Sequence, residues 1–268
     1  MTRRDFLRSG AFAAVGTCTD LEAGPAAERR PNVVVIYADD LGYGDVSCYG
    51  AAKVRTPNID RLAREGRLFT DGHSASAVCT PSRYCLLTGE YAWRIGNWAP
   101  VFHQHALIVD PRKLTVADVM KEAGYATACI GKWHLGFGSE RLPDWNDELK
   151  PGPLELGFDH YFGVPVVNSH PPFVYVEDRR VVGLEEDDPI RVGPGLRSPT
   201  RRYPEKFSAP PRKAAPGVAG GRAAHARYVD EEVCTTLTGH ATRWIRDHAR
   251  NPFFLYFATT NIHHPFTP

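Results

Sequence analysis

Asn32-Val33-Val34-Val35-Ile36-Tyr37-Ala38 runs directly into Asp39-Asp40-Leu41-Gly42-Tyr43-Gly44. An apolar run so rich in β-branched residues has the character of a strand buried on both faces, as in parallel sheets sandwiched between helices. In open α/β sheets, ligands gather beyond the carboxyl ends of such strands. Two adjacent carboxylates at that place repel one another unless positive charge lies between them. A hard divalent cation with oxygen ligands satisfies both. A solvated acidic turn would explain the two acids but not the Leu-Gly-Tyr-Gly that follows. Asp39 and Asp40 are therefore candidate metal ligands.

Further along, Thr56-Pro57-Asn58-Ile59-Asp60-Arg61-Leu62-Ala63 reads as a capped helix with Thr56 at the N-cap and Pro57 at N1. Ile59, Leu62 and Ala63 are expected on its buried face, and His73 as a packed residue rather than a ligand. Cys79-Thr80-Pro81-Ser82-Arg83 then forms a turn leading into a helix that Gly89 stops. Proline suits the first helical turn, so the side chain at 79 lies near a helix N-terminus, where anions are favoured. Arg83, one turn on, can reach back with a planar fork suited to tetrahedral oxyanions. A lone cysteine is often buried filler; beside an arginine and a helix N-terminus it reads as a nucleophile at an anion pocket.

Two more strand ends carry chemistry. Leu114-Thr115-Val116-Ala117-Asp118 has a capping-box-like start. The strand from Tyr125 to Ile130 ends in Gly131-Lys132-Trp133-His134-Leu135-Gly136. Its glycines would let backbone approach a ligand, with Lys132 and His134 alternating onto one side. Val233, Leu237, Ala241, Trp244 and Ile245 recur at helical spacing, and Phe253 to Phe257 is a strand ending at Thr259-Thr260-Asn261-Ile262-His263-His264-Pro265. Strands alternating with helices predict an α/β fold with a mostly parallel sheet. Val174-Tyr175-Val176 and Arg180-Val181-Val182 suit a small hairpin.

Taken in order, Asp39-Asp40, Cys79-Thr-Pro-Ser-Arg83-Tyr-Cys-Leu-Leu-Thr-Gly89, Gly131-Lys-Trp-His-Leu-Gly136 and His263 resemble the signatures of type I sulfatases, from about residue 31 onward. The resemblance implies a helix-sandwiched sheet of the alkaline-phosphatase superfamily and hydrolysis of a sulfate ester. It implies oxidation of Cys79 to formylglycine, with Asp39, Asp40 and the modified Cys79 on calcium, magnesium being the alternative. Arg83 and Lys132 would hold the hydrated aldehyde and the sulfuryl oxygens. His263, with neighbouring His264 as its alternative, would protonate the leaving alcohol, and His134 would take the proton that releases sulfate. Implied partners are an aryl sulfate or sulfated glycan, a formylglycine-generating or sulfatase-maturating enzyme, and the twin-arginine translocase. A phosphate or phosphonate ester hydrolase of the same superfamily is one rival reading; an inactive remnant is the other.

The rest of the chain bounds these readings. It has 268 residues, 43% of them hydrophobic and 24% charged, ample for a core. A net charge of +1 argues against a nucleic-acid binder working by bulk electrostatics. The six cysteines lack the paired spacing of a zinc site. Residues 1–24 have the pattern of a twin-arginine signal around Arg3-Arg4, with a weak lipobox at Cys18, implying export to the periplasm or beyond. Residues 25–31 are a linker, and 32–268 the N-terminal part of a catalytic domain. Prolines crowd 184–226, which reads as a mobile insertion facing substrate. Sulfatases carry an Asp-Asn pair on the metal and a further lysine on the sulfate after these motifs. Neither follows His264 here, so the 268-residue chain alone is expected to be nearly inactive.

Overall fold

The computed structural model describes residues 30–196, 217–264 and 266. The chain divides into Met1–Arg30 and Pro31–Pro268, and the fold is that of the second unit. The export signal, its lipobox and nearly all of the linker lie outside the described residues.

The main sheet combines β1 (Val33–Tyr37), β2 (Ala126–Lys132), β3 (His160–Val164), β4 (Val176–Glu177), β5 (Arg180–Val181) and β8 (Phe253–Ala258) in the order β1-β8-β2-β3-β4-β5. β1, β8, β2 and β3 run parallel, and the β4–β5 hairpin closes one edge antiparallel. The mostly parallel α/β sheet anticipated from the sequence is therefore present. Its central strands are sandwiched. Ala128, Ile130, Phe253 and Leu255 pack on one face against Ala241 and Trp244 of helix α5 (Val233–His248). Cys129, Phe254 and Tyr256 belong on the other face to a cluster with Tyr84 and Leu87 of α2 (Cys79–Thr88) and Ala117 of α3 (Val116–Glu122). Alternate residues of one strand thus serve two helical layers, which is why these strands read as continuous apolar runs. α3 begins with the expected capping box, Thr115 accepting from the Asp118 N–H.

Several expectations are corrected: β1, read as buried on both faces, is among the described residues an edge strand with Val34 and Ile36 exposed, and the α1 stripe and His73 are not packed. Helix α1 (Pro57–Glu65) follows Thr56, but its apolar face is open: Ile59 is 40% and Leu62 61% exposed. Thr56 is the N-cap residue and Pro57 opens the helix, as expected, with the Thr56 hydroxyl bonding the Ser47 and Asp60 side chains. His73 is not packed; it sits in solvent beside Asp71. The flanks of the 184–226 stretch are folded, with β6 (Arg191–Gly193) paired antiparallel to β7 (Gly217–Ala219) and followed by α4 (Arg222–Ala226). Ile190, Val218 and Ala224 join the main core, because apolar side chains at the stem can bury even where proline prevents long elements. Residues 197–216 lie outside the described residues.

Candidate active site

Cys79 is the first residue of α2, after an extended Val78, and the first turn closes when the Ser82 N–H donates to the Val78 carbonyl (3.1 Å). Gly89, in a left-handed conformation, ends the helix as expected. Cys79 is a half-buried free thiol. The next residue ties this helix to the sheet. The Thr80 hydroxyl donates to the His134 carbonyl (2.8 Å) and accepts from the Val101 N–H (3.1 Å).

Arg83 is fully buried and joins the ends of three strands. Nη1 donates to the Lys132 carbonyl (2.9 Å) and the Tyr256 hydroxyl (3.3 Å), while Nη2 donates to Asp39 Oδ1 (3.2 Å). Its guanidinium lies over the Tyr37 ring. Burial opposes its charge, yet its pKa is raised because Tyr256, Asp39 and Cys79 hold the cation. The fork expected to cover Cys79 thus anchors the strand ends, with Cys79 as an electrostatic neighbour.

Lys132 Nζ donates to the other Asp39 oxygen at 2.6 Å, and both side chains are buried. Burial works against ionising Asp39, but Lys132 and Arg83 outweigh it and hold the carboxyl below its usual range. Lys132 is itself lowered by burial and by Arg83, with Asp39 opposing. Within the buried cluster a single acid, Asp39, lies between two cations, with the Asp40 carboxylate at the rim.

Asp40 turns the other way. Its φ of 61° places it in the left-handed region, and its half-exposed carboxylate lies 3.8 Å from His263 Nε2. Asp40, His263 and His264 form a group whose ligand atoms lie within 4.8 Å of one another. Asp39 and Cys79 are not in that group, so the expected set of Asp39, Asp40 and Cys79 does not converge as three metal ligands. The physical reason is that both Asp39 oxygens already face cations. The donors fit a divalent cation in part: two carboxylates end β1, whereas calcium takes roughly six to eight oxygens.

His263 arrives because β1 and β8 continue to pair beyond their strands. The Thr259 N–H donates to the Tyr37 carbonyl, the Asp39 N–H to that of Asn261, and the Ile262 N–H to that of Asp39. Burial and Lys132 push the His263 pKa down. His264 stacks on it at 4.4 Å but is exposed.

His134 lies just past β2, where its N–H donates to the Pro165 carbonyl (3.0 Å). Its φ is 59°. The ring is buried, and neither nitrogen has a hydrogen-bond partner among the described residues. Burial, then Lys132 and Arg83, push its pKa well below the ordinary value. Orphaned buried nitrogens are costly in a structural role and point to a ligand. The flanking glycines do something other than admit a ligand. A Cβ on Gly131 would lie 1.8 Å from the Ala258 carbonyl oxygen, and one on Gly136 2.1 Å from that of Ala106. Both let backbone meet backbone.

Arg83, Lys132, His134 and His263 are thus electrostatic neighbours around Asp39. Thr80 and Tyr256 were not singled out in the sequence. Thr80 sits at a variable position of its motif, and Tyr256 reads as one more apolar residue of β8.

A buried cluster of Asp39, Lys132 and Arg83 at the carboxyl edge of a mostly parallel sheet, beside Cys79 and the unpartnered His134 ring, defines an α/β protein with charged groups where such sheets bind ligands. Residues 31–268 match the Sulfatase family, and the chain belongs to it. It is 41% identical over 255 residues to the N-acetylgalactosamine-6-O-sulfatase of Bacteroides thetaiotaomicron, covering 90% of this chain and 50% of that one. It is 42% identical over 153 residues to human arylsulfatase A, covering 57% of this chain and 29% of that one. A solved sulfatase from glycosaminoglycan metabolism in B. thetaiotaomicron superposes with a TM-score of 0.79 at 39% identity, over 88% of this chain and 52% of that one. The chain spans about half the length of the bacterial relative, its N-terminal part.

Proposed function

We propose that the chain carries the nucleophile-bearing half of a sulfate-ester hydrolase whose substrate is a sulfated glycan. The observation that carries this reading is the buried Asp39–Lys132–Arg83 cluster beside Cys79 and the unpartnered His134 ring. The glycan class comes from the name of the bacterial N-acetylgalactosamine-6-O-sulfatase.

When present, formylglycine at position 79 supplies a hydrated aldehyde as nucleophile, and a divalent cation offsets negative charge; Asp39 and Asp40 would hold the cation. The chain's own residues set the stage. The N-terminus of α2 and the cations Lys132 and Arg83 favour a tetrahedral anion at Cys79. Arg83 fixes the ends of β1, β2 and β8, so the charges do not have to reorganise. His134, with its pKa pushed down and both nitrogens unpartnered among the described residues, can accept a proton there. His263, beside Asp40, is placed to give a proton to a departing alcohol. Export through the twin-arginine route would bring the chain to polymeric substrates outside the cytoplasm.

Co-expression with a formylglycine-generating enzyme should modify Cys79 and no other cysteine, as read by peptide mass spectrometry. Residues 31–268 exchanged into the bacterial relative should then release sulfate from 6-sulfated N-acetylgalactosamine in preference to phosphate from a matched aryl phosphate. Cys79→Ala should abolish that release. Preference for the phosphate, or turnover surviving Cys79→Ala, would overturn the reading.

A further inference from the structure

Beyond α2 the chain turns back and presents a row of aromatic rings. Tyr91 leads into a single 3₁₀ turn, Ala92–Ile95, which Gly96 ends in a left-handed conformation with φ 71°. The turn is held from beneath: Ala92 is buried in the main core cluster, and the Asn97 N–H donates to the Ala92 carbonyl (3.1 Å). Its rings stay outside. Tyr91 is 49%, Trp93 47% and Trp98 70% exposed. They are nevertheless aligned with one another. Ring centroids lie 5.9 Å apart from Tyr91 to Trp93 and 6.5 Å apart from Trp93 to Trp98, at interplanar angles of 19° and 18°. The Arg94 guanidinium lies 5.0 Å from the centroid of the Trp93 ring and makes no ion pair among the described residues. Large exposed rings gathered in one place mark an interaction surface.

The row also leads to the candidate site. The ten residues of α2 rise about 15 Å. Tyr91 lies just past the C-terminal end of that helix, whereas the Val101 N–H donates to the Thr80 hydroxyl at its start, beside Cys79. The segment between them therefore returns along the helix toward Cys79. The next ring, Phe102, has its centroid 6.3 Å from that of His134 and 4.8 Å from that of His170.

We propose that Tyr91, Trp93 and Trp98 form a track for a sulfated polysaccharide, binding sugars beyond the one whose sulfate lies at Cys79. A pyranose has an apolar face of C–H groups and a rim of hydroxyls, so a broad aromatic ring covers the face and leaves the rim in water. Tyrosine and tryptophan offer that area at little cost in side-chain entropy. Arg94 amid the rings complements the sulfates of an anionic chain. The choice of ligand rests on the proposed glycan-sulfatase reading, but the test reads binding rather than turnover.

A chondroitin 6-sulfate hexasaccharide would be titrated into the 268-residue chain with Cys79 left as the thiol, followed by calorimetry and tryptophan fluorescence. Trp93→Ala and Trp98→Ala should each weaken binding about tenfold, and Trp98→Phe, which keeps a ring, should weaken it less. Arg94→Gln should weaken binding of the sulfated hexasaccharide and leave its desulfated counterpart unchanged. Circular dichroism would show that the variants fold. Hydrogen exchange supplies a readout that needs no substitution: amides of residues 91–98 should slow when the hexasaccharide binds. The proposal is overturned if the hexasaccharide does not bind, if binding ignores both tryptophan substitutions, or if residues 91–98 gain no protection. Self-association of the chain through these rings, without hexasaccharide binding, would overturn it in favour of a protein interface. Ring-dependent binding without sulfate release in the exchanged relative would sustain the track and count against the function alone.

Discussion

At one edge of the sheet, β4 and β5 are two residues each, antiparallel, and carry Glu177 and Arg180 at exposed positions. At the other, β1 runs for five residues with Val34 and Ile36 open. Short strands and charge protect a sheet edge; length and apolar side chains leave it ready to pair. Around β2, β3 and β8 nearly every apolar side chain is buried, Ala128, Ile130, Tyr161 and Leu255 completely. From Val34 to Phe69 most of the large ones are not. The difference teaches that the same strand grammar gives a closed core where two helical layers among the described residues cover the strands, and an open face where none of the described residues does. The site draws on both kinds of surroundings: Arg83, Lys132 and His134 are buried, whereas Asp40 is half exposed beside His263.

The comparison can be broken first at that site. Asp39→Asn keeps the shape of the side chain but leaves Lys132 and Arg83 without their shared anion in the interior. Breaking a buried ion pair on one side costs about 3–5 kcal/mol, so urea unfolding should show a loss of that order. A loss within experimental error would mean that water reaches the cluster.

Two identical deletions measure the contrast itself. Leu255→Ala, in the closed core, should destabilise by roughly 2–5 kcal/mol. Leu62→Ala, on exposed α1, should stay within about 0.5 kcal/mol. Equal costs would show that α1 is covered in the isolated chain.

A smaller effect is expected from pH. The folded state holds His134 neutral, with its pKa depressed, so the unfolded chain binds more protons. That contribution is fully present above the unfolded value near 6.5 and is lost as pH falls below it, by at most about 1.4 kcal/mol per pH unit. Replacing His134 with Gln should flatten the stability profile between pH 6.5 and about 5. An unchanged slope would place the titration elsewhere.

Much of this was legible in the residues alone. Each central strand announced itself as an apolar run, because a strand between two helical layers must be apolar on both sides. The ends of those runs carried Asp39, Lys132, His134 and His263, the start of a helix carried Cys79, and local signals such as the Thr115 box and Gly89 set helix ends. What the sequence could not say was which of these groups would face one another. That Asp39 pairs with Lys132 and Arg83 while Asp40 turns to His263 depends on strand order β1-β8-β2 and on one left-handed residue. The same holds for Gly131, whose need is a carbonyl on β8 more than a hundred residues away. The α1 stripe makes the same point: periodicity marks which side of a helix is apolar, but only packing determines whether anything covers it.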